Sequence, residues 1–159
     1  MFKFMRGGFG GATAHRLGRI SLFEGLGVKE LNILEGFVHD RQYLPGEVVF
    51  DEGEEGQALY SVVAGHVIIC HPGQMERPIA TLGAGNFFGE LALLDNSPRS
   101  AQARAGSATE LAVLFRGDFE RLMESHAHIA TQIAMQLARH LGQRLRQMVV
   151  ANGSLSASQ

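Results

Sequence analysis

The chain has 159 residues, 45% of them apolar and 19% charged, with a formal net charge of −2. That length suits one domain with a sizeable core, and that balance excludes wholesale disorder. No strong basic field for nucleic acid is present, and no apolar run of about 18 residues could cross a membrane. Cys70 is the single cysteine, so no internal disulfide can form. With no apolar signal-peptide core at the N-terminus, the expectation is a cytoplasmic protein in a reducing compartment.

Residues 1–20 are glycine-rich with scattered charge and are expected to form a flexible arm, with a short helix near Ala14–Ile20. Ser21-Leu22-Phe23-Glu24 has the spacing of a capping box. A helix is predicted over Lys29–Val38, because Leu31, Leu34, Phe37 and Val38 fall on one face. From Tyr43 the rhythm changes. Glycines recur from Gly46 to Gly89 and separate short apolar runs: Val48–Phe50, Leu59–Val63, Val67–Cys70 and Ile79–Leu82. Chain-wide, 20 glycines stand where the average of about 7% would place roughly 11. Short strands between turn residues predict an antiparallel sandwich or barrel. Alternation at Ala101, Ala103 and Ala105, then at Leu111, Val113 and Phe115, resumes strands after an interruption at 86–98. The last third reads as helical. Asp118 and Ser125 are expected caps, and Ile133, Leu137, Leu141, Leu145 and Met148 form a stripe. Asn152-Gly153 is the expected stop, and residues 151–159 the expected disordered tail.

Chemistry concentrates in the interruption, Gly85-Asn86-Phe87-Phe88-Gly89-Glu90-Leu91-Ala92-Leu93-Leu94, closing on Pro98-Arg99-Ser100-Ala101. A helical turn entered from glycine offers amides that an anion can approach. Arg99, at a strand start, supplies a permanently charged fork for two oxygens. A carboxylate at Glu90 would repel phosphate but would accept a hydrogen bond from a ribose hydroxyl. One Arg, one Glu and a set of amides match a small monoanion fused to a sugar, which is the shape of a cyclic nucleotide monophosphate.

These segments, with Gly46–Phe50, Glu52-Gly53 and Tyr60–Gly65, resemble the cyclic nucleotide-binding domain family over roughly residues 20–150. The resemblance implies a mainly β fold: an eight-stranded antiparallel, jelly-roll-like β-roll with an N-terminal helix, a short cassette helix and C-terminal helices. It implies an arm at 1–20 and a nucleotide-binding domain with its lid helix at 21–150. The ligand-binding residues it implies are Phe88, Gly89, Glu90, Leu91, Ala92, Arg99, Ser100 and Ala101. Among them, Glu90 takes the ribose 2′-OH, and Arg99, Ser100 and Ala101 take the phosphate. The ligand it implies is cAMP, with cGMP the alternative, since a hydroxyl such as that of Ser100 can meet a guanine amino group. In the catabolite activator branch, small hydroxyl residues stand where Arg144 and Leu145 lie here. That departure makes Arg144 a candidate cation–π cap over the base.

The expected function is a receptor, not an enzyme, whose C-terminal helix responds to ligand and signals to an unidentified protein effector. A homodimer through that helix is also expected. The alternatives are the sensor part of a transcription regulator, or a family member that has lost or changed its ligand. Only nine residues follow Val150, whereas a helix-turn-helix domain needs on the order of 50, so direct DNA binding is not expected. A metal is not expected either. His126 and His128 point to nearly opposite sides of a helix, and His66 and His71 lack a nearby third ligand. Cys70, within an apolar run, is expected to be buried and inert.

Overall fold

The computed structural model describes residues 15–156. Two 3-10 turns, Arg16–Arg19 and Ser21–Phe23, lead into α1 (Val28–Glu35). Eight strands follow: β1 (His39–Tyr43), β2 (Val48–Phe50), β3 (Ala58–Ala64), β4 (His66–Cys70), β5 (Ala80–Gly83), β6 (Phe87–Phe88), β7 (Gln102–Ala105) and β8 (Thr109–Phe115). A 3-10 turn, Glu90–Leu93, lies between β6 and β7, and α2 (Arg116–Ser125) and α3 (Ala127–Ser156) close the chain. The strands form two antiparallel four-stranded sheets, β1-β8-β3-β6 and β2-β7-β4-β5. This is the eight-stranded β-roll with flanking helices that the resemblance implied, and it agrees with the antiparallel strands that the glycine rhythm predicted.

Strand alternation divides the apolar side chains between two cores. Inside the roll, Phe50, Ala58, Val62, Val67, Phe88, Ala103, Leu111 and Val113 pack together. On the other face of the first sheet, Leu59, Phe87, Ala112 and Leu114 meet Leu17, Leu22, Phe23, Leu31 and Leu34 from the N-terminal segment. Phe119 and Leu122 of α2 and Ile129, Ile133 and Leu137 of α3 complete that second core. Thus β8, central in its sheet, is buried on both faces and reads as a continuous apolar run. Cys70 is fully buried.

Several local expectations are corrected. Residues 15–20 are not part of a loose arm, since Leu17 and Ile20 are buried and Arg16 pairs with Glu35 at 2.7 Å; the rest of the expected arm lies outside the described residues. Ser21 makes no side-chain cap, and its amide donates to the Gly85 carbonyl at 2.9 Å. The reach-back belongs to Glu30, which accepts from the Gly27 amide at 3.2 Å as α1 begins. The first helix ends at Glu35, earlier than Val38. Asp118 lies inside α2, where its carboxylate holds His39 and Arg121. The Ser125 hydroxyl donates back to the Arg121 carbonyl and does not cap α3. Asn152 and Gly153 do not stop α3, which runs on to Ser156, so 151–156 is helix and not tail.

Candidate functional site

The interruption at 86–98 is where the chain leaves β6, makes a left-handed turn and returns along the loop before β3. Gly89 has φ +72°, and a Cβ there would lie 2.6 Å from Arg99 Nη1 and 3.2 Å from the Ala58 carbonyl oxygen. The glycine therefore makes room for the chain's own guanidinium. Gly56, across the turn, is similarly confined by Ala92 Cβ and Arg99 Cζ, each 3.2 Å from its ideal Cβ.

Arg99 is aimed by backbone. Its Nη2 donates to the Ala58 carbonyl at 2.7 Å and its Nη1 to the Gly89 carbonyl at 3.2 Å. Its main chain is held too: the Arg99 amide donates to the Glu54 carbonyl at 2.7 Å, and Gly53 donates to the Arg99 carbonyl at 2.8 Å. The guanidinium lies 4.1 Å from the Phe50 ring centroid and 5.7 Å from that of Tyr60. Phe88 stacks on Tyr60 at 5.3 Å, so three aromatic rings form the floor. Burial pulls the Arg99 pKa below its usual value, against the opposing pull of Tyr60, Glu54 and Glu90; the group stays cationic. Burial also pushes the Tyr60 hydroxyl up, partly offset by Arg99. Among the described residues no carboxylate oxygen comes within 4.0 Å of the Arg99 guanidinium. Arg99 and Glu90 thus do not form the surface ion pair that an isolated reading of two opposite charges would give.

Glu90, 5% exposed, faces the helices. Its Oε1 accepts from Arg144 Nη1 at 2.8 Å, and His140 Nε2 lies 3.9 Å from the same oxygen. His140 leans on Phe87 with ring centroids 4.5 Å apart. One turn of α3 therefore grips the cassette carboxylate with two side chains. Arg144 is brought to the site, where its guanidinium pairs with Glu90.

The other candidates divide by exposure. Phe88, Ala92 and Ala101 are buried and shape the site from below, while Leu91 and Ser100 are exposed on its rim. The sequence reading missed Phe50, Tyr60, His140 and Arg116. The first three look like ordinary core or helix residues, and only the fold places them against Arg99, Phe88 and Glu90. Arg116, at the β8–α2 junction, carries no local signal. The histidines do not gather: His128 pairs with Glu30, His71 with Glu52, and His66 packs on Gly106 and Ser107. No group of three or more His, Cys, Asp or Glu among the described residues could hold a metal ion. No helix among the described residues is long and apolar enough to cross a membrane.

Residues 40–126 match the family model of the cyclic nucleotide-binding domain, and that span runs from the second residue of β1 through α2 and contains the whole cassette. The chain belongs to the cyclic nucleotide-binding domain family. It is 42% identical over 122 residues to a cyclic AMP receptor protein of Thermus thermophilus, covering 76% of this chain and 56% of that one. It is 36% identical over 114 residues to a cyclic nucleotide-gated potassium channel of Rhizobium etli, covering 72% of this chain and 31% of the channel. The crystal structure of the Thermus thermophilus catabolite activator protein superimposes with a TM-score of 0.75 at 39% identity, over 86% of this chain and 63% of that one. The chain thus spans about half of the receptor and under a third of the channel.

Proposed function

We propose that the chain binds a cyclic nucleoside monophosphate at Phe88–Ala92 and Arg99–Ala101, with cAMP preferred over cGMP. The observation that carries this is Arg99 itself: a half-buried guanidinium, aimed by two carbonyls over an aromatic floor, with no carboxylate of the described residues within 4.0 Å. A buried cation needs a counter-charge, and a cyclic phosphate carries one negative charge to meet it. Glu90 accepts the ribose 2′-OH, and Ser100 and Ala101 complete the phosphate cradle. The preference for cAMP is supported by the 42% identity to a protein named for cyclic AMP. The chain itself performs no reaction in this reading.

Through Arg144 and His140, Glu90 links ligand occupancy to α3, so the signal leaves by that helix toward a protein effector. Leu145, Met148, Val149 and Val150 are exposed on its outer half, which favours a homodimer formed there. A larger protein that uses this chain as its sensor, whether a regulator or a channel, is the second reading, favoured by the partial span of both relatives.

Calorimetric titration of the wild type with cAMP and cGMP, beside Arg99→Ala, tests the assignment. Removing one partner of a desolvated charge pair costs about 2–5 kcal/mol, or at least roughly thirtyfold in affinity. Unchanged affinity in Arg99→Ala, or no binding by the wild type, overturns it. Light scattering of Leu145→Lys tests the dimer, which this charge should dissociate.

A further inference from the structure

The geometry points to Arg116 as a positioning residue that holds the ligand cradle in its binding shape, acting through backbone and not through the ligand. The inference rests on the reading of residues 89–101 as that cradle. Arg116 follows β8 directly and opens α2. Its amide donates to the Gln57 carbonyl at 2.9 Å, which fixes the base of the side chain beside the start of β3. From there the guanidinium spans two separate segments. Nη2 donates to the Gly56 carbonyl at 3.0 Å, on the loop before β3. Nε donates to the Ala92 carbonyl at 2.7 Å, while Nη2 and Nη1 also donate to the Asp95 carbonyl and to Asn96 Oδ1.

All four acceptors belong to the two segments that enclose Arg99. Gly56 packs against Arg99 Cζ and against Ala92, so the carbonyls that Arg116 gathers are attached to the walls of the Arg99 site. The turn Glu90–Leu93 is too short to be stable alone, and the loop 94–98 that follows is neither helix nor strand and is tied to the segment before β3 at its far end, by the bridge of Pro98 to Glu55. Backbone carbonyls at the end of such a turn need donors, and here a single planar fork supplies them to both segments at once. Among the described residues Arg116 makes no ion pair, so these acceptors account for its placement. Because the same residue is the first of α2, it also joins the cradle to the helical layer by a route independent of Glu90 and Arg144.

Arg116→Gln and Arg116→Lys test this. Lysine keeps the charge but lacks the fork, so it is expected to rescue only in part. Calorimetry should show cAMP and cGMP weakened alike, by tenfold or more in Arg116→Gln, since the cradle and not a base contact is disturbed. Amide hydrogen exchange of the ligand-free proteins should rise at 52–57 and 89–98 while β3, β4 and β8 keep their protection, a pattern that general destabilisation would not give. If Arg116→Gln fails to fold, Arg116→Lys is judged by the same two readouts. Affinity within twofold of wild type, full rescue by lysine, or exchange raised evenly across both sheets overturns the inference. A wild type that binds neither nucleotide overturns the ligand reading instead, and the inference with it.

Discussion

Gly89→Ala separates two costs that the structure superimposes at one position. The first is backbone strain: φ is +72°, and an L-residue in the left-handed region costs roughly 1–2 kcal/mol. The second is the collision with Arg99, whose Nη1 would be 2.6 Å from the new Cβ. To escape, the guanidinium must give up its bond to the Gly89 carbonyl, and a bond from a charged donor contributes about 1.5–3 kcal/mol. Together these predict a loss of roughly 2.5–5 kcal/mol. At about 2–4 °C per kcal/mol for a chain of this size, Tm should fall by about 5–20 °C. Gly46→Ala is the matched reference. Its φ is +85°, yet a Cβ there meets nothing within 4 Å, so it isolates the strain at roughly 1–2 kcal/mol. Scanning calorimetry of both variants gives the difference that belongs to Arg99, and titration with cAMP should show affinity lost only in Gly89→Ala. Equal Tm shifts, with equal affinities, would refute the packing of Arg99 against Gly89.

Ile133→Ala removes a fully buried α3 side chain from the core that joins helices to the first sheet, and should cost about 2–5 kcal/mol in a urea titration; a loss under 1 kcal/mol would mean that α3 does not pack there. Asp118 gives a pH-dependent difference. Burial raises its pKa, but hydrogen bonds from Arg121 and His39 outweigh this and hold it below the usual value. A depressed folded pKa stabilises above the unfolded value of about 3.9 and loses that contribution as pH falls through the folded one. Asp118→Asn should therefore be less stable than wild type at pH 7, with a gap that narrows below about pH 4. Equal gaps in urea midpoints at pH 7 and pH 3 would contradict it.

Glycine spacing and strand alternation made the roll legible, because tight turns between short strands demand residues that tolerate positive φ, as Gly46, Gly65 and Gly85 do. The segment 86–101 stood out for a related reason, since Gly89, Glu90 and Arg99 interrupt the strand rhythm in a stretch that resembles the cyclic nucleotide-binding domain family. What stayed hidden depends on tertiary contacts. The strand β1, His-Asp-Arg-Gln-Tyr, is a mostly exposed sheet edge whose polar side chains guard it from pairing, so it carries no apolar signal. The two-residue β6 is too short to show a period. Ser21 and Glu24 had the spacing of a cap, but the Gly85 carbonyl claimed the Ser21 amide, and the spacing meant nothing. Arg144 was placed at the site by register alone. Its partner, Glu90, became visible only once α3 was laid across the first sheet.

The family match ends at residue 126, yet Ile129, Ala130, Ile133 and Leu137 of α3 are walls of the core beneath β3 and β8. A protein trimmed at that match boundary would lose those four side chains from the core and leave the N-terminal segment and α2 packed against Phe87 and Leu114 without them. The first half of α3, through about Leu141, thus belongs to the packed body of the domain, and a sensor grafted into another protein should carry that half of the helix along.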